Sequence, residues 1–239
     1  MKKILALTMT LILILTLLAG CGNSNDNNGS SSNTGNENGN SPTSTTEEQT
    51  TSDIPQKGGF DAEEAAKNFK VTEYKINDRF NYYAVYIVKN TSEFTLDING
   101  KIEAFNGTDI VGAKEGGEYA IPAGKEIVLA YSFDESFSKT EYKFTAQVSS
   151  LYKGVTQDLT FTSSTAKNKE ILTVTNNGTL DAEFVQATVL FFKNSNLVFL
   201  NTAYVSSGDA LKPNESKSTE IACSEVYDSI QVFLTGRSK

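Results

Sequence analysis

Two thiols, Cys21 and Cys223, stand in a chain that contains no histidine. A cysteine nucleophile is ordinarily activated by an imidazole, a neighbouring cation or a helix N-terminus. The segment Thr219-Glu220-Ile221-Ala222-Cys223-Ser224 supplies none of these and alternates like a strand, so Cys223 is expected to be a small buried hydrophobe. Without histidine, Ser-His-Asp and Cys-His catalysis in their usual forms and His-ligated zinc or copper are excluded. Carboxylates adjoin at Glu63-Glu64 and Asp134-Glu135. Paired acids can cleave glycosides, but acids in a net-acidic chain are mostly solvated surface. Asn194-Ser195-Asn196 and Asn176-Asn177-Gly178 hold calcium-type oxygens without the spacing of a calcium loop, and Gly116-Gly117 lacks a phosphate-loop pattern. No catalytic residue, metal site or cofactor is expected, and the ligand-binding residues are unassigned. Tyr82, Tyr83, Tyr86, Tyr119 and Tyr131 could line a sugar- or peptide-binding face, or serve as core and cross-strand pairs.

Cys21 has a different context. Lys2 and Lys3 precede an apolar run from Ile4 to Leu18 that ends in Leu18-Ala19-Gly20-Cys21. A charged start, a short apolar core and small residues at a cut form a secretory signal, and the core falls short of the roughly 20 residues that span a bilayer. The last four residues resemble the lipobox of bacterial lipoproteins. The resemblance implies cleavage between Gly20 and Cys21 and a diacylglyceryl group on the Cys21 sulfur. Two acyl chains, each methylene contributing about 0.8 kcal/mol, hold durably where one does not. The rival readings are an ordinary secretory signal and an uncleaved anchor. The expected location is the extracytoplasmic face of the cell membrane.

The chain has 239 residues and a net charge of −8. Removing residues 1–20 takes Lys2 and Lys3 and no acid, leaving 19 basic against 29 acidic residues, a net −10. That balance disfavours nucleic acid, whose phosphates need clustered cations. It also disfavours a polybasic hold on the membrane. With Cys21 given to lipid, Cys223 has no partner for a disulfide.

The chain divides into a signal peptide (1–20), a tether (21–59) and two units (60–150 and 151–239). From Gly22 to Gly59, Asn, Ser, Thr and Gly dominate and Ile54 is the one large aliphatic side chain. Such a stretch buries too little to offset backbone ordering, which predicts a disordered tether. Phe60-Asp61-Ala62-Glu63-Glu64 then predicts a short helix, with Asp61 as cap and Glu64 three residues on. Beyond it the period is two. Tyr83, Val85 and Ile87 alternate with Tyr82, Ala84, Tyr86 and Val88, and the series Ile127, Leu129, Tyr131, Phe133 and Tyr142, Phe144, Ala146, Val148 alternate with polar or small residues. These read as half-buried strands, punctuated by turns at Asn99-Gly100, Asn106-Gly107, Ala123-Gly124, Asn177-Gly178 and Ser207-Gly208-Asp209.

The strand succession occurs twice. Val88-Lys89-Asn90-Thr91 matches Val174-Thr175-Asn176-Asn177; Ile102 to Val111 matches Val189 to Val198; and Pro122-Ala123-Gly124 matches Pro213-Asn214-Glu215. An all-β fold of two tandem immunoglobulin-like sandwiches is predicted, joined near residues 149–154, with separate cores that share few contacts. Phe191 is expected to point into the second core.

The second unit resembles the FxLYD-type domain of bacterial surface lipoproteins. The resemblance rests on Leu172 to Gly178, Val189-Leu190-Phe191-Phe192-Lys193 and Leu211-Lys212-Pro213-Asn214-Glu215-Ser216. Val189, Lys193 and Asn214 stand where the motif has phenylalanine, aspartate and glycine. It implies an immunoglobulin-like sandwich outside the membrane and no chemistry. The expected function is a non-enzymatic binding or structural module, anchored to the membrane by lipid and facing a cell-wall polymer or a surface protein. The alternative is a solute-binding accessory lipoprotein of a transporter.

Overall fold

A computed structural model of the chain describes residues 59–239 except Arg79 and Ser207. Cys21, the cleavage junction and the predicted tether as far as residue 58 lie outside the described residues. The architecture is two tandem immunoglobulin-like β-sandwiches with one short helix before the first.

Helix α1 (Ala62–Lys67) opens the described chain, and Asp61 caps it by accepting the N–H groups of Glu63 and Glu64 at 2.9 and 3.0 Å. Glu63 then pairs with Lys67 one turn on, at 2.7 Å. The Glu63-Glu64 pair therefore serves the positive end of a helix. Phe60 lies edge-on to Phe94 and fixes the entry of the chain.

The first repeat contains β1 (Lys70–Asn77), β2 (Tyr82–Lys89), β3 (Leu96–Asn106), β4 (Asp109–Ile121), β5 (Glu126–Phe133) and β6 (Lys139–Val148). They form antiparallel sheets in the orders β1-β2-β5 and β4-β3-β6. The second repeat opens with β7 (Lys153–Gly154) and a 3-10 turn (Thr156–Asp158). It continues through β8 (Leu159–Ala166), β9 (Lys169–Asn176), β10 (Glu183–Lys193), β11 (Asn196–Tyr204), β12 (Ser216–Ala222) and β13 (Ser229–Ser238). Its sheets run β8-β9-β12 and β11-β10-β13-β7, the order of the first repeat with β7 added at one edge.

Each repeat has its own core. Tyr86, Leu96, Ile98, Ile102, Ile127 and Phe133 lie in the first; Leu172, Val174, Val189, Phe191, Leu211 and Ile221 lie in the second. Phe191 is fully buried, with its ring 4.8 Å from Tyr227 and 6.0 Å from Phe199, as the strand alternation predicts.

An asparagine occupies the same place in both sandwiches. Asn90 is fully buried and its amide donates to the carbonyls of Phe94 and Ile121 at 2.8 and 2.9 Å. Asn176, equally buried, donates to Leu180 and Leu211 at 2.8 and 2.9 Å. Their side-chain oxygens accept the N–H groups of Ser92 and Gly178. A turn crosses over each asparagine and donates to its main-chain carbonyl, from Gly124 in one repeat and Asn214 in the other. Both turn residues have positive φ, 76° and 62°, which glycine and asparagine tolerate best. Gly124 is thus the counterpart of Asn214. The two proline turns match one residue out of step with the alignment that pairs Pro122 with Pro213.

The expectation of few contacts between the cores is not met. A third apolar cluster lies between the repeats, with Val85 of the first and Leu190, Phe192 and Leu197 of the second all buried. Tyr74, Ile76, Tyr83, Ile87 and Val128 pack around it from the first repeat. Tyr74 meets Phe192 edge-on at 5.8 Å. The outer face of the β1-β2-β5 sheet therefore lies on the outer face of the β11-β10-β13 sheet. This explains why Tyr82 to Val88 and Ala187 to Phe192 are almost wholly apolar: β2 and β10 are covered on both sides, not one.

The two remaining outer faces are mainly polar, although Ile110, cross-strand from Phe105, is 61% exposed on the first. On the first repeat, Lys101 pairs with Glu103 at 3.1 Å and Lys139 with Glu141 at 3.0 Å. On the second, Thr173 and Ser218 share a hydrogen bond of 2.8 Å, and Thr175 and Ser216 one of 2.7 Å.

Candidate functional site

Beside the shared apolar face, the repeats leave an open cleft of about 380 Å³. One wall comes from Glu115 to Glu118 of β4 with Tyr131 of β5, the other from Gln186 and Thr188 of β10 with Thr202 and Tyr204 of β11. On the outer face of β10 the side chains change from Phe192 and Leu190 to Thr188 and Gln186. Their cross-strand partners on β11 change in step, from Leu197 and Leu200 to Thr202 and Tyr204. The same sheet face is thus glue at one end and hydrogen-bonding surface at the other.

The β4 wall depends on glycine. A Cβ on Gly117 would stand 2.2 Å from the Ile98 carbonyl oxygen, and one on Gly100 would stand 2.5 Å from the Tyr131 hydroxyl. The bare backbone lets Tyr131 donate to the carbonyls of Gly116 and Gly100, at 2.9 and 3.3 Å. Burial, and then the Glu115 charge, push the Tyr131 phenol up to about 12, so it stays a neutral donor.

Several groups around the cleft have no protein partner. Among the described residues, Glu115, the Gln186 amide and the Tyr204 hydroxyl make no hydrogen bond or ion pair, and Tyr204 is 60% exposed. Buried Thr188 and exposed Thr202 share one hydrogen bond of 2.9 Å. Glu118 is engaged. It receives Arg237 from β13 at 3.3 Å and the Tyr119 N–H at 3.1 Å, while burial pushes its carboxyl up against those two influences.

Arg237 closes the junction beside the cleft. Its guanidinium carbon lies 5.3 Å from the ring of Tyr119, 4.8 Å from Tyr152 and 4.4 Å from Phe184. A cation among three aromatic faces, paired with a carboxylate of the other repeat, is a strong clasp when desolvated. The guanidinium charge goes into that clasp, its buried Nε–H has no hydrogen-bond partner, and no lysine or arginine lines the cleft.

The five tyrosines singled out in the sequence do not converge. Tyr86 and Tyr131 are in the first core, Tyr83 is in the shared face with its hydroxyl on Asp78 at 3.0 Å, Tyr82 is at the margin of exposure, and Tyr119 sits against Arg237. Tyr204, which that reading passed over, is the exposed ring at the cleft.

The acid pairs are also apart from it: Glu63-Glu64 is on α1 and Asp134-Glu135 is in the exposed β5–β6 turn. Asn194-Ser195 forms the β10–β11 hairpin, both residues at positive φ, with the Asn194 N–H given to Asp228 at 2.7 Å. No group of three or more acidic, histidine or cysteine side chains is placed to hold a metal among the described residues.

Cys223 is buried at the end of β12, where its repeat counterpart is Phe133, and its thiol donates to the Glu225 carbonyl at 3.3 Å. Glu170, also buried, accepts the hydroxyls of Tyr227 and Thr165 at 2.7 and 2.8 Å. Burial, with Glu225 and Glu170 close by, pushes the thiol up and away from the nucleophilic thiolate.

No helix among the described residues is long and apolar enough to cross a membrane. No protein-family model and no curated protein matches the chain. Among solved structures, a red sea bream transglutaminase is similar over 70% of this chain and 29% of that one, at 10% identity and a TM-score of 0.25.

Proposed function

We propose that this chain is a lipoprotein, held through diacylglyceryl-Cys21 on the extracytoplasmic face of the membrane, whose fused sandwiches act as a non-enzymatic binding module. The single observation that supports binding is the cleft between the repeats, where Glu115, Gln186 and Tyr204 have no partner among the described residues. The address rests on Leu18-Ala19-Gly20-Cys21 and on the Asn/Ser/Thr/Gly composition that follows. Capture of a small solute for a transporter would call for an enclosed pocket between the repeats, and the apolar face fills most of that space.

Two measurements test the proposal. Cys21→Ser should abolish lipid-dependent processing and move the protein out of the detergent phase; unchanged partitioning overturns the address. The full-length chain in mild detergent should retain cell-wall fragments or solubilised surface proteins. The Gln186→Ala/Tyr204→Ala double variant should lose that capture while melting as the wild type does. Absent capture, or capture indifferent to the double variant, overturns the binding reading.

A further inference from the structure

We infer that the cleft between the repeats is a saccharide site, one that takes an uncharged oligosaccharide and rejects polyanionic ones. The inference rests on the binding reading above and names the ligand class of the same cleft.

Three properties select that class. First, the walls offer mixed donors and acceptors on short side chains: an amide at Gln186, hydroxyls at Thr188 and Thr202, and a carboxylate at Glu115. Adjacent sugar hydroxyls, each both donor and acceptor, suit such a lining better than an apolar metabolite or a flat aromatic one does. Second, the Tyr204 ring stands 60% exposed at this polar surface, cross-strand from Gln186. A pyranose presents one face of C–H groups to an aromatic ring while its equatorial hydroxyls reach sideways, so a stacking ring beside an amide and hydroxyls fits both aspects of the ligand. Third, the electrostatics are one-sided. Glu115 makes no ion pair among the described residues; its cross-strand partner Lys101 is paired with Glu103, and Arg237 is held by Glu118 and three rings. With no free lysine or arginine in the lining, a phosphate, sulfate or uronate group would enter uncompensated against Glu115.

The volume also fits. About 380 Å³ is at the small end of ligand sites. The cleft is open rather than enclosed, so a chain can continue beyond the sugars that it grips.

The test is calorimetric titration of the full-length chain in a detergent without a sugar headgroup. The neutral probe is the N-acetylglucosamine trimer and the anionic one a fully sulfated disaccharide. Saturable binding of the trimer, loss of about tenfold in affinity in Tyr204→Ala and again in Gln186→Ala, and no binding of the sulfated probe are expected. Both substitutions are at solvent-accessible side chains, and an unchanged melting temperature certifies the fold. Equal binding of the sulfated probe, or trimer binding that neither variant weakens, overturns the inference. No trimer binding, with wall or surface-protein capture still lost in the double variant, overturns the saccharide and leaves the binding module standing. Failure of both assays removes both.

Discussion

Leu190 is the sharpest probe of how the two sandwiches are joined. It is fully buried, yet it belongs to the cluster between the repeats and not to the second core, where its neighbours Val189 and Phe191 point. Four buried side chains meet there, each contributing about 1.5–3 kcal/mol by burial. A small domain holds only about 5–15 kcal/mol in all. Coupling of that size makes the two repeats one cooperative unit, so calorimetry of the wild type should show a single transition. Leu190→Ala should cost about 2–5 kcal/mol. At about 2–4 °C per kcal/mol for a body of this size, the midpoint should fall by roughly 4–20 °C. Leu190→Asp would bury an unpaired charge and should split the transition in two, since each core is left intact. Two resolved transitions in the wild type, or a Leu190→Ala midpoint within a degree of it, would refute energetic coupling through the shared face.

Asn176→Ala should destabilise by about 2–4 kcal/mol in urea unfolding, because two buried carbonyls lose their donor and the Gly178 N–H its acceptor; exposed Asn177→Ala should change stability by far less. Cys223 should resist alkylation at neutral pH and react only as the second repeat unfolds, as followed by mass spectrometry in rising urea. The Tyr131 phenol is raised from 10.0 to about 12, so the folded state holds its proton longer than the unfolded chain does. Its stabilising effect is complete below pH 10 and is lost as the pH rises toward 12, a difference of about 2–3 kcal/mol. Unfolding midpoints measured between pH 9 and 12 should fall less steeply in Tyr131→Phe than in the wild type.

Much of the fold was legible in the strand alternation, the turns and the doubled succession of motifs. The matched Val88-Lys89-Asn90 and Val174-Thr175-Asn176 marked an equivalence that the structure explains by one buried amide in each repeat. The slip at the proline turns has a physical source. The turn is registered by the residue at positive φ, Gly124 or Asn214, and proline can precede it by one position or two. The shared face was visible too, as the unbroken apolar runs of β2 and β10, but alternation within them invited a one-sided reading. The cleft left no such trace. Glu115 and Gln186 are far apart in sequence, one on the glycine-rich β4 and the other before the apolar part of β10, and only the docking of one sandwich on the other brings them to one opening.

That docking joins unlike faces, and a head-to-tail contact of this kind has no symmetry to close it. Repeated faithfully, it would add sandwich after sandwich into a fibre. Here the side chains, and not the backbone, break that repetition. Where the first repeat offers Val85, Ile87 and Val128, the second carries Ile171, Thr173 and Ser218, its hydroxyls already satisfied across the strands. Where the second offers Leu190 and Phe192, the first carries Glu103 and Phe105, the glutamate paired to Lys101 and the ring covered by Lys139. Each sandwich is therefore sticky on one side and mostly polar on the other, as terminal units of a solenoid are. Neither half can be lifted out alone without baring the face that its partner covers.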